Sequence, residues 1–183
     1  MYRGRIEGNS LRSETIFESR PPSVYHIHVH AWRHMATSTR FVLAIHVLTS
    51  LAITDGKPMR SEDLAFSVQT NATFIRSLLS RLQKAGLTTS QLGTGGGALL
   101  AKPSAKIRLL DVYRAVEDGE VFSFHRQGPN ESCVVGKNIQ QAIRPSLDQA
   151  TQALERKLGG VTIADIAQEV ARLGKFTIPW SGV

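Results

Sequence analysis

Hydroxyl and cationic side chains recur at helical spacing between residues 72 and 85, and these residue types bind nucleic acid. Arginine can donate paired hydrogen bonds to a guanine, whereas lysine and serine can contact phosphate oxygens. Residues three and four apart share one face of a helix. This spacing therefore predicts one polar surface, formed by Thr73, Arg76, Ser77, Ser80, Arg81 and Lys84. An ordinary helical hairpin with a hydrated outer face would show the same pattern.

The charge around this segment favours an anionic partner. The chain has 183 residues and a net charge of +7. Residues 57–108 contain eight basic and only two acidic side chains, and no carboxylate side chain lies between Asp63 and Asp111. Because clustered positive charge attracts polyanions, we expect this part of the chain to form an anion-binding surface, although a solvated basic face would show the same excess of charge.

Other function classes lack the residues that they need. The folded part contains no Ser-His-Asp order, no paired carboxylates in a glycine-framed cleft and no metal-spaced cluster, so we expect no enzyme. No apolar run is long enough to span a membrane, and the single cysteine excludes a disulfide framework. The glycines at 93–97 lack the features of a nucleotide-binding loop. We therefore expect a cytoplasmic protein that is not catalytic.

Three helices are predicted to position the basic face. The first follows the capping residues Thr37, Ser38 and Thr39. The second begins at Ser61, whose hydroxyl can cap it, and the third covers residues 72–85. The inner stripe of the third helix is Ile75, Leu78, Leu79 and Leu82. Two short helices separated by about three residues are typical of a helix-turn-helix, in which the second helix enters the major groove.

A β-hairpin is predicted directly after the third helix. Residues 87–90 and 98–101 can pair around a glycine-rich tip, and a hairpin in this place is a wing. Glycine lets the backbone approach a phosphate or the minor groove without a side-chain collision, and the wing glycines are Gly95, Gly96 and Gly97. The predicted fold is mainly α with a small β-hairpin wing at 92–98, followed by a long helix.

The order of four segments resembles the Rrf-two family of bacterial winged helix-turn-helix transcription factors, which includes the iron–sulfur assembly and nitric-oxide-responsive repressors. The segments are SEDLA (61–65), NATFIR (71–76), LSRLQKAGL (79–87) and GTGGG (93–97). The resemblance runs from about Met35 to Val170. It implies a homodimer that binds a roughly palindromic operator, usually as a repressor. It also implies base contacts by Thr73, Phe74 and Arg76, and phosphate contacts by Ser38, Thr39 and Arg40.

The wing departs from the family pattern in two ways. Ala98 stands where an aromatic residue is frequent, and Leu92 and Thr94 leave the tip without an arginine. We therefore expect the wing to contribute backbone contacts and little positive charge.

The sensor segment departs from the family pattern as well. Well-studied members hold an iron–sulfur cluster on three cysteines before the long helix, whereas this chain has only Cys133. His125, Glu131 or a partner chain would have to supply other ligands, so we expect no cluster and no metal.

Cys133 is then a candidate redox sensor. Lys137 and a helix predicted to start near residue 137 or 138 would stabilise its thiolate. The alternative that we favour is a small buried apolar side chain, because free cysteines are often buried.

A one-sided apolar stripe predicts the dimer element. Its members recur every three or four residues between 138 and 158, and they are Ile139, Ile143, Leu147, Ala150, Leu154 and Leu158. The length of the stripe favours pairing with the same helix of a second subunit, although it can instead pack on its own winged domain. Pro145 is expected to kink or restart the helix.

These patterns divide the chain into five parts. They are a disordered extension (1–34), a winged helix-turn-helix domain (35–119), an effector-type loop (120–137), a dimerisation helix with a short C-terminal helix (138–172) and a tail (173–183). The sequence thus predicts a homodimeric DNA-binding repressor and leaves its effector, a small molecule or a redox signal, unidentified. The alternative is a winged-helix module that docks protein or RNA without sequence-specific DNA binding.

Overall fold

The computed structural model describes residues 39–124, 128–130 and 132–180. This part contains six α-helices and a two-stranded antiparallel sheet. The predicted extension over 1–34 lies outside the described residues, as do Ser38, His125 and Glu131. Among the described residues, no helix combines the length and the apolar character that crossing a bilayer requires.

The first three helices form the helix-turn-helix as predicted. They are α1 (Thr39–Ile53), α2 (Ser61–Ser67) and α3 (Ala72–Lys84). Their apolar faces share one core, in which Leu48, Leu64, Ile75, Leu78 and Leu82 are buried. Each buried side chain of this size contributes about 1.5–3 kcal/mol relative to an exposed one. The core therefore fixes which face of α3 points outward.

The predicted cap of α2 is wrong. The capping residue is Arg60, which has extended backbone (φ −74°, ψ 152°) and makes no side-chain cap bond. Ser61 is already the first helical residue, and a side-chain cap requires the non-helical backbone of the preceding position. Unlike α2, the helix α3 has a side-chain cap, because Asn71 Oδ1 accepts a 2.7 Å hydrogen bond from the Phe74 backbone N–H.

The wing is a short hairpin of β1 (Thr88–Gln91) and β2 (Gly97–Leu100). The register pairs Thr88 with Leu100 and Gln91 with Gly97. Met59, which precedes α2, bridges to Ala98 through two backbone hydrogen bonds of 3.0 and 2.8 Å. The hairpin is therefore attached on one side to α3 and on the other to the α1–α2 connection.

The C-terminal helix closes the winged domain. A 3₁₀ turn (Ser104–Lys106) leads into α4 (Leu109–Val116), and α6 spans Ile163–Gly174. Backbone bonds of 2.9 Å join the chain before α4 to the chain before α6. In this arrangement α6, which the sequence pattern grouped with the long helix, packs on α1 of the winged domain.

The segment predicted as a tail is held against α1. Ile178 is buried, and the indole N–H of Trp180 donates a 2.8 Å hydrogen bond to the Ala52 carbonyl. The segment is short and shows no helical or strand periodicity, so this docking had no local signal in the sequence.

The long helix α5 covers Val134–Gly159. It begins three or four residues earlier than predicted and continues through Pro145, which costs one main-chain hydrogen bond to Gln141. No residue of α5 is buried in the single chain.

Candidate nucleic-acid interface

The outer face of α3 carries the predicted polar set. Ile75, Leu78 and Leu82 point into the core, so the residues between them face outward. Thr73, Arg76, Ser77, Ser80 and Lys84 are exposed, and Arg81 is half-buried. Hydroxyl donors and three cations therefore lie on one helical surface, in the arrangement that major-groove recognition uses.

Phe74 is less available than the other residues predicted to contact bases. Its side chain is half-buried and packs against the core, while its backbone N–H is bonded to the Asn71 cap. Only the exposed part of the ring can contact DNA, for example a thymine methyl group.

Arg76 is ion-paired with Glu62 of α2. Its Nη2 donates to Glu62 Oε1, and both side chains are more than half exposed. Exposed pairs of this kind contribute little to stability, typically 0–1 kcal/mol. The carboxylate therefore fixes the direction of the guanidinium more than it stabilises the fold. Glu62 was not predicted as a site residue, although the sequence placed it in the first turn of α2.

Arg81 and Arg40 converge on one carboxylate, that of Asp118. Arg81 Nη1 donates to both carboxylate oxygens at 2.8 and 2.9 Å, and Arg40 Nη1 donates to Oδ2 at 3.2 Å. The hydrogen bond from Arg81 lowers the pKa of Asp118, and Asp118 raises the pKa of Arg81. Asp118 thus joins the start of α1 to the end of α3. Asp118 lies outside the basic segment 57–108 and was not predicted as a site residue.

The wing glycines allow close packing of the backbone as well as the tight turn at the tip of the wing. A Cβ on Gly96 would lie 3.0 Å from the Gln91 carbonyl carbon, and one on Gly97 would lie 2.6 Å from that of Met59. Gly95 has φ +81° and open space around it. Close packing therefore favours glycine at 96 and 97, whereas at 95 the positive φ favours it.

The wing tip presents apolar and backbone groups. Leu92 is 91% exposed, and Ala98 is buried in the bridge to Met59. The buried position explains why a small residue stands at 98 in this chain.

The sequence model of the Rrf2 family, described as an iron-dependent transcriptional regulator, matches residues 37–169. The chain belongs to this family. An Rrf2 protein of Bacillus subtilis strain 168, named as the HTH-type transcriptional regulator YwnA, is 37% identical over 130 residues, which are 70% of this chain and 95% of the relative.

Solved structures agree with this membership. A crystal structure described as that of a DNA-binding protein is 36% identical and covers 69% of this chain and 97% of its own, with a TM-score of 0.57. A Lactobacillus plantarum structure described as a transcriptional regulator is 26% identical and covers 74% and 92%, with a TM-score of 0.63. This Rrf2 protein is a winged-helix DNA-binding transcriptional regulator and not an enzyme.

Cys133 occupies the capping position of α5 and is exposed. The expectation that it is buried is therefore wrong, because the segment before α5 lies outside the winged core. Backbone N–H groups of Gly136 and Val135 lower the pKa of the thiol, as expected at a helix N-terminus. The redox role of Cys133 stays a prediction.

The donor set does not fit the iron–sulfur cluster that some Rrf2 proteins carry. The chain has one cysteine, and within residues 39–124, 128–130 and 132–180 no three His, Cys, Asp or Glu side chains are grouped to hold a metal. His125 and Glu131, the suggested substitutes, lie outside the described residues.

The apolar stripe of α5 divides into two parts. Ile139 and Ile143 are 44% and 41% exposed, and Ala150 is exposed too. Leu147, Leu154 and Leu158 are half-buried, and α5 contacts α4. The single chain therefore covers the C-terminal part of the stripe and leaves the N-terminal part open.

Proposed function

We propose that this Rrf2 protein is a homodimeric repressor that reads a palindromic operator by placing α3 in the major groove. The supporting observation is the outward polar face of α3, whose opposite face is locked in the core. A recognition helix needs this combination because a rigid inner face fixes which side chains reach the base edges.

Within that interface, Arg76 is the proposed base reader. It is exposed at the centre of the outer face, and Glu62 orients its guanidinium, which suits a bidentate contact with guanine. Thr73, Phe74, Ser77 and Ser80 contact bases or sugars around it. Ser38, Thr39, Arg40, Ser61, Arg81 and Lys84 contact phosphates, and Gly95, Gly96 and Gly97 let the wing backbone approach the phosphates closely.

The dimer follows from the open part of the α5 stripe. Exposed isoleucines at 139 and 143 and exposed Val134 and Val135 form an apolar surface that a second copy of α5 would cover. The twofold dimer then presents two α3 helices to half-sites about one helical turn apart, roughly 34–36 Å. Because its target is the DNA of a bacterial cell, we expect the protein in the cytoplasm.

We also propose that this family member works without an iron–sulfur cluster, because it has one thiolate where a cluster needs several ligands. An ultraviolet–visible spectrum of anaerobically purified protein tests this, since a bound cluster absorbs visible light. A visible band that bleaches on oxidation would contradict the proposal.

Selection from a random duplex pool tests whether the protein prefers a palindromic operator. Two arginine substitutions, one on α3 and one on α6, test whether Arg76 reads a base. Arg76→Ala should lose roughly 1–3 kcal/mol of discrimination at one base-pair position. Arg172→Ala is the matched control, because Arg172 is also exposed and bound to a carboxylate, that of Glu169, but lies on α6. Equal loss in both variants, or a selected pool without an inverted repeat, would contradict the assignment. Binding to acidic protein or RNA alone would favour the alternative module.

The dimer is tested by sedimentation equilibrium on Ile143→Glu. A charge in the interface should shift the protein to monomer and weaken operator binding, while Leu92→Glu at the wing tip should stay dimeric. An Ile143→Glu dimer of unchanged stability would show that the stripe is not the interface.

A further inference from the structure

A cavity of about 560 Å³ lies between α4, the segment after it and α5. This volume is within the range of small-molecule sites. Three aromatic rings contribute to its walls, those of Tyr113, Phe122 and Phe124. No residue of α3 or of the wing lines the cavity.

The cavity is acidic in a basic protein. Four carboxylates and two guanidiniums line it, although the whole chain carries +7. Arg114 is bonded to Glu155 at 3.0 Å, and the Arg144 guanidinium lies 5.0 Å from the centre of the Phe124 ring. The Phe124 ring of the wall therefore already contacts a cation. The carboxylates of the cavity that are not paired with Arg114 are those of Glu117, Glu120 and Asp148.

One of these carboxylates has an unsatisfied buried oxygen. Glu117 Oε1 is inaccessible to solvent and has no hydrogen-bond donor among the described residues. Leaving a buried acceptor without a donor is unfavourable, and native structures supply a partner for the large majority of such groups. Because Glu117 lines the cavity, a rotation of its side chain would bring this oxygen to the cavity wall, where a ligand can be that partner.

We propose that the cavity binds a small primary amine or guanidine with an apolar body. The cationic group donates to Glu117 and is attracted by Glu120 and Asp148. The apolar body packs against the aromatic rings, whose faces attract cations as well. An anion is disfavoured by the excess of carboxylates.

The position of Glu117 connects this cavity to the DNA-binding face. Glu117 and Gly119 line the cavity, while Asp118 between them holds Arg81 and Arg40. A cation bound to Glu117 restrains the chain next to Asp118 and so favours the arrangement in which the Asp118 carboxylate holds the two arginines. These arginines then face a carboxylate rather than a DNA phosphate. The ligand therefore lowers operator affinity, which deepens the proposed function and depends on it.

Calorimetric titration of the full chain tests the cavity without DNA. The probes are phenethylamine and agmatine, and 2-phenylethanol is the neutral analogue of the first. At least one amine should bind saturably and raise the melting temperature, and the alcohol should bind at least tenfold more weakly. Glu117→Gln should weaken amine binding about 10- to 100-fold, as expected for a charged hydrogen bond.

Glu169→Gln is the control variant, since Glu169 is an exposed carboxylate of α6 outside the cavity. Circular dichroism establishes that both variants are folded. Absence of binding by either amine overturns the proposal, as does equal binding of the alcohol or unchanged affinity in Glu117→Gln. Amine binding that appears only in monomeric Ile143→Glu would show that a partner protomer fills the cavity, and this outcome overturns it too.

Operator binding with and without the amine tests the coupling. The amine should weaken operator binding by a factor in the usual allosteric range, about 5- to 150-fold. Asp118→Asn should bind the amine normally but lose this dependence, because the carboxylate that competes with phosphate is gone. An amine-bound protein with unchanged operator affinity overturns the coupling. Failure to bind DNA under any condition, with amine binding intact, contradicts the proposed function and leaves the cavity supported.

Discussion

Replacing Gly97 with alanine should separate the folding role of the wing glycines from their DNA role. An added Cβ would lie 2.6 Å from the carbonyl carbon and 3.0 Å from the nitrogen of Met59. These are backbone atoms, so no side-chain rotation relieves the contact. The wing must move away from the α1–α2 connection, which breaks the bridge between Met59 and Ala98.

The expected loss follows from the two bonds of that bridge, which measure 3.0 and 2.8 Å. Each contributes about 0.5–1.5 kcal/mol, and overpacking of this kind costs about 1–3 kcal/mol. Because the displaced wing recovers part of its solvation, we expect a net loss of about 2–4 kcal/mol. This is a large part of the roughly 5–15 kcal/mol that stabilises a typical domain.

Gly95→Ala is the matched control, since its Cβ meets no atom within 4 Å and only φ +81° opposes it. A left-handed residue costs roughly 1–2 kcal/mol. Urea denaturation should show a larger loss of unfolding free energy for Gly97→Ala than for Gly95→Ala. Hydrogen exchange at the Ala98 amide should become faster only in Gly97→Ala. A Gly97→Ala protein as stable as the parent, with a protected Ala98 amide, would refute the packing role of this glycine.

Three further changes test the fold. Asp165→Asn should remove about 0.5–2 kcal/mol at neutral pH, because its carboxylate accepts the Thr162 N–H in the capping box of α6. The bond to Thr162 lowers the pKa of Asp165, so this stability is present above the unfolded value of about 3.9. It is lost as pH falls through the folded pKa, and urea midpoints of parent and variant should converge in strong acid. Trp180→Phe should lose about 0.5–1.5 kcal/mol with its bond to Ala52, measured by urea unfolding. Leu78→Ala should lose about 2–5 kcal/mol, whereas Phe66→Ala, which is 87% exposed in the parent, should lose almost nothing by the same measurement.

Local patterns were sufficient to predict the helix-turn-helix and the wing. The periodicity of 72–85 predicted α3 to within one residue of its observed end at Lys84. The glycines predicted the hairpin because a tight turn needs them. In each case the determining residues are neighbours in sequence, so periodicity and turn chemistry carry the information.

The partners of the basic side chains could not be predicted in this way. Arg81 and Asp118 are 37 residues apart, and Arg40 and Asp118 are 78 apart. Nothing in the charge window indicates that a carboxylate from beyond α4 returns to the end of α3. The hydrogen bond from Trp180 to α1 could not be predicted for the same reason, because it is the packing of α6 on α1 that brings residues 175–180 next to Ala52.

The paired arginines also bear on how the proposed repressor distinguishes its operator from other DNA. Non-specific affinity comes from cations that neutralise phosphates and release counterions. Arg76 and Arg81 already hold carboxylates, so a phosphate contact by either exchanges one anion for another and gains less than a contact by an unpaired cation. A contact between the guanidinium and a base loses less free energy than a phosphate contact does. The reason is that a guanidinium whose one edge holds a carboxylate can still donate from its other N–H groups. The carboxylates of Glu62 and Asp118, which pair with arginines of α3, therefore reduce binding to random DNA more than binding to the operator. Glu62→Gln should raise non-specific affinity and so lower the ratio of operator affinity to non-specific affinity.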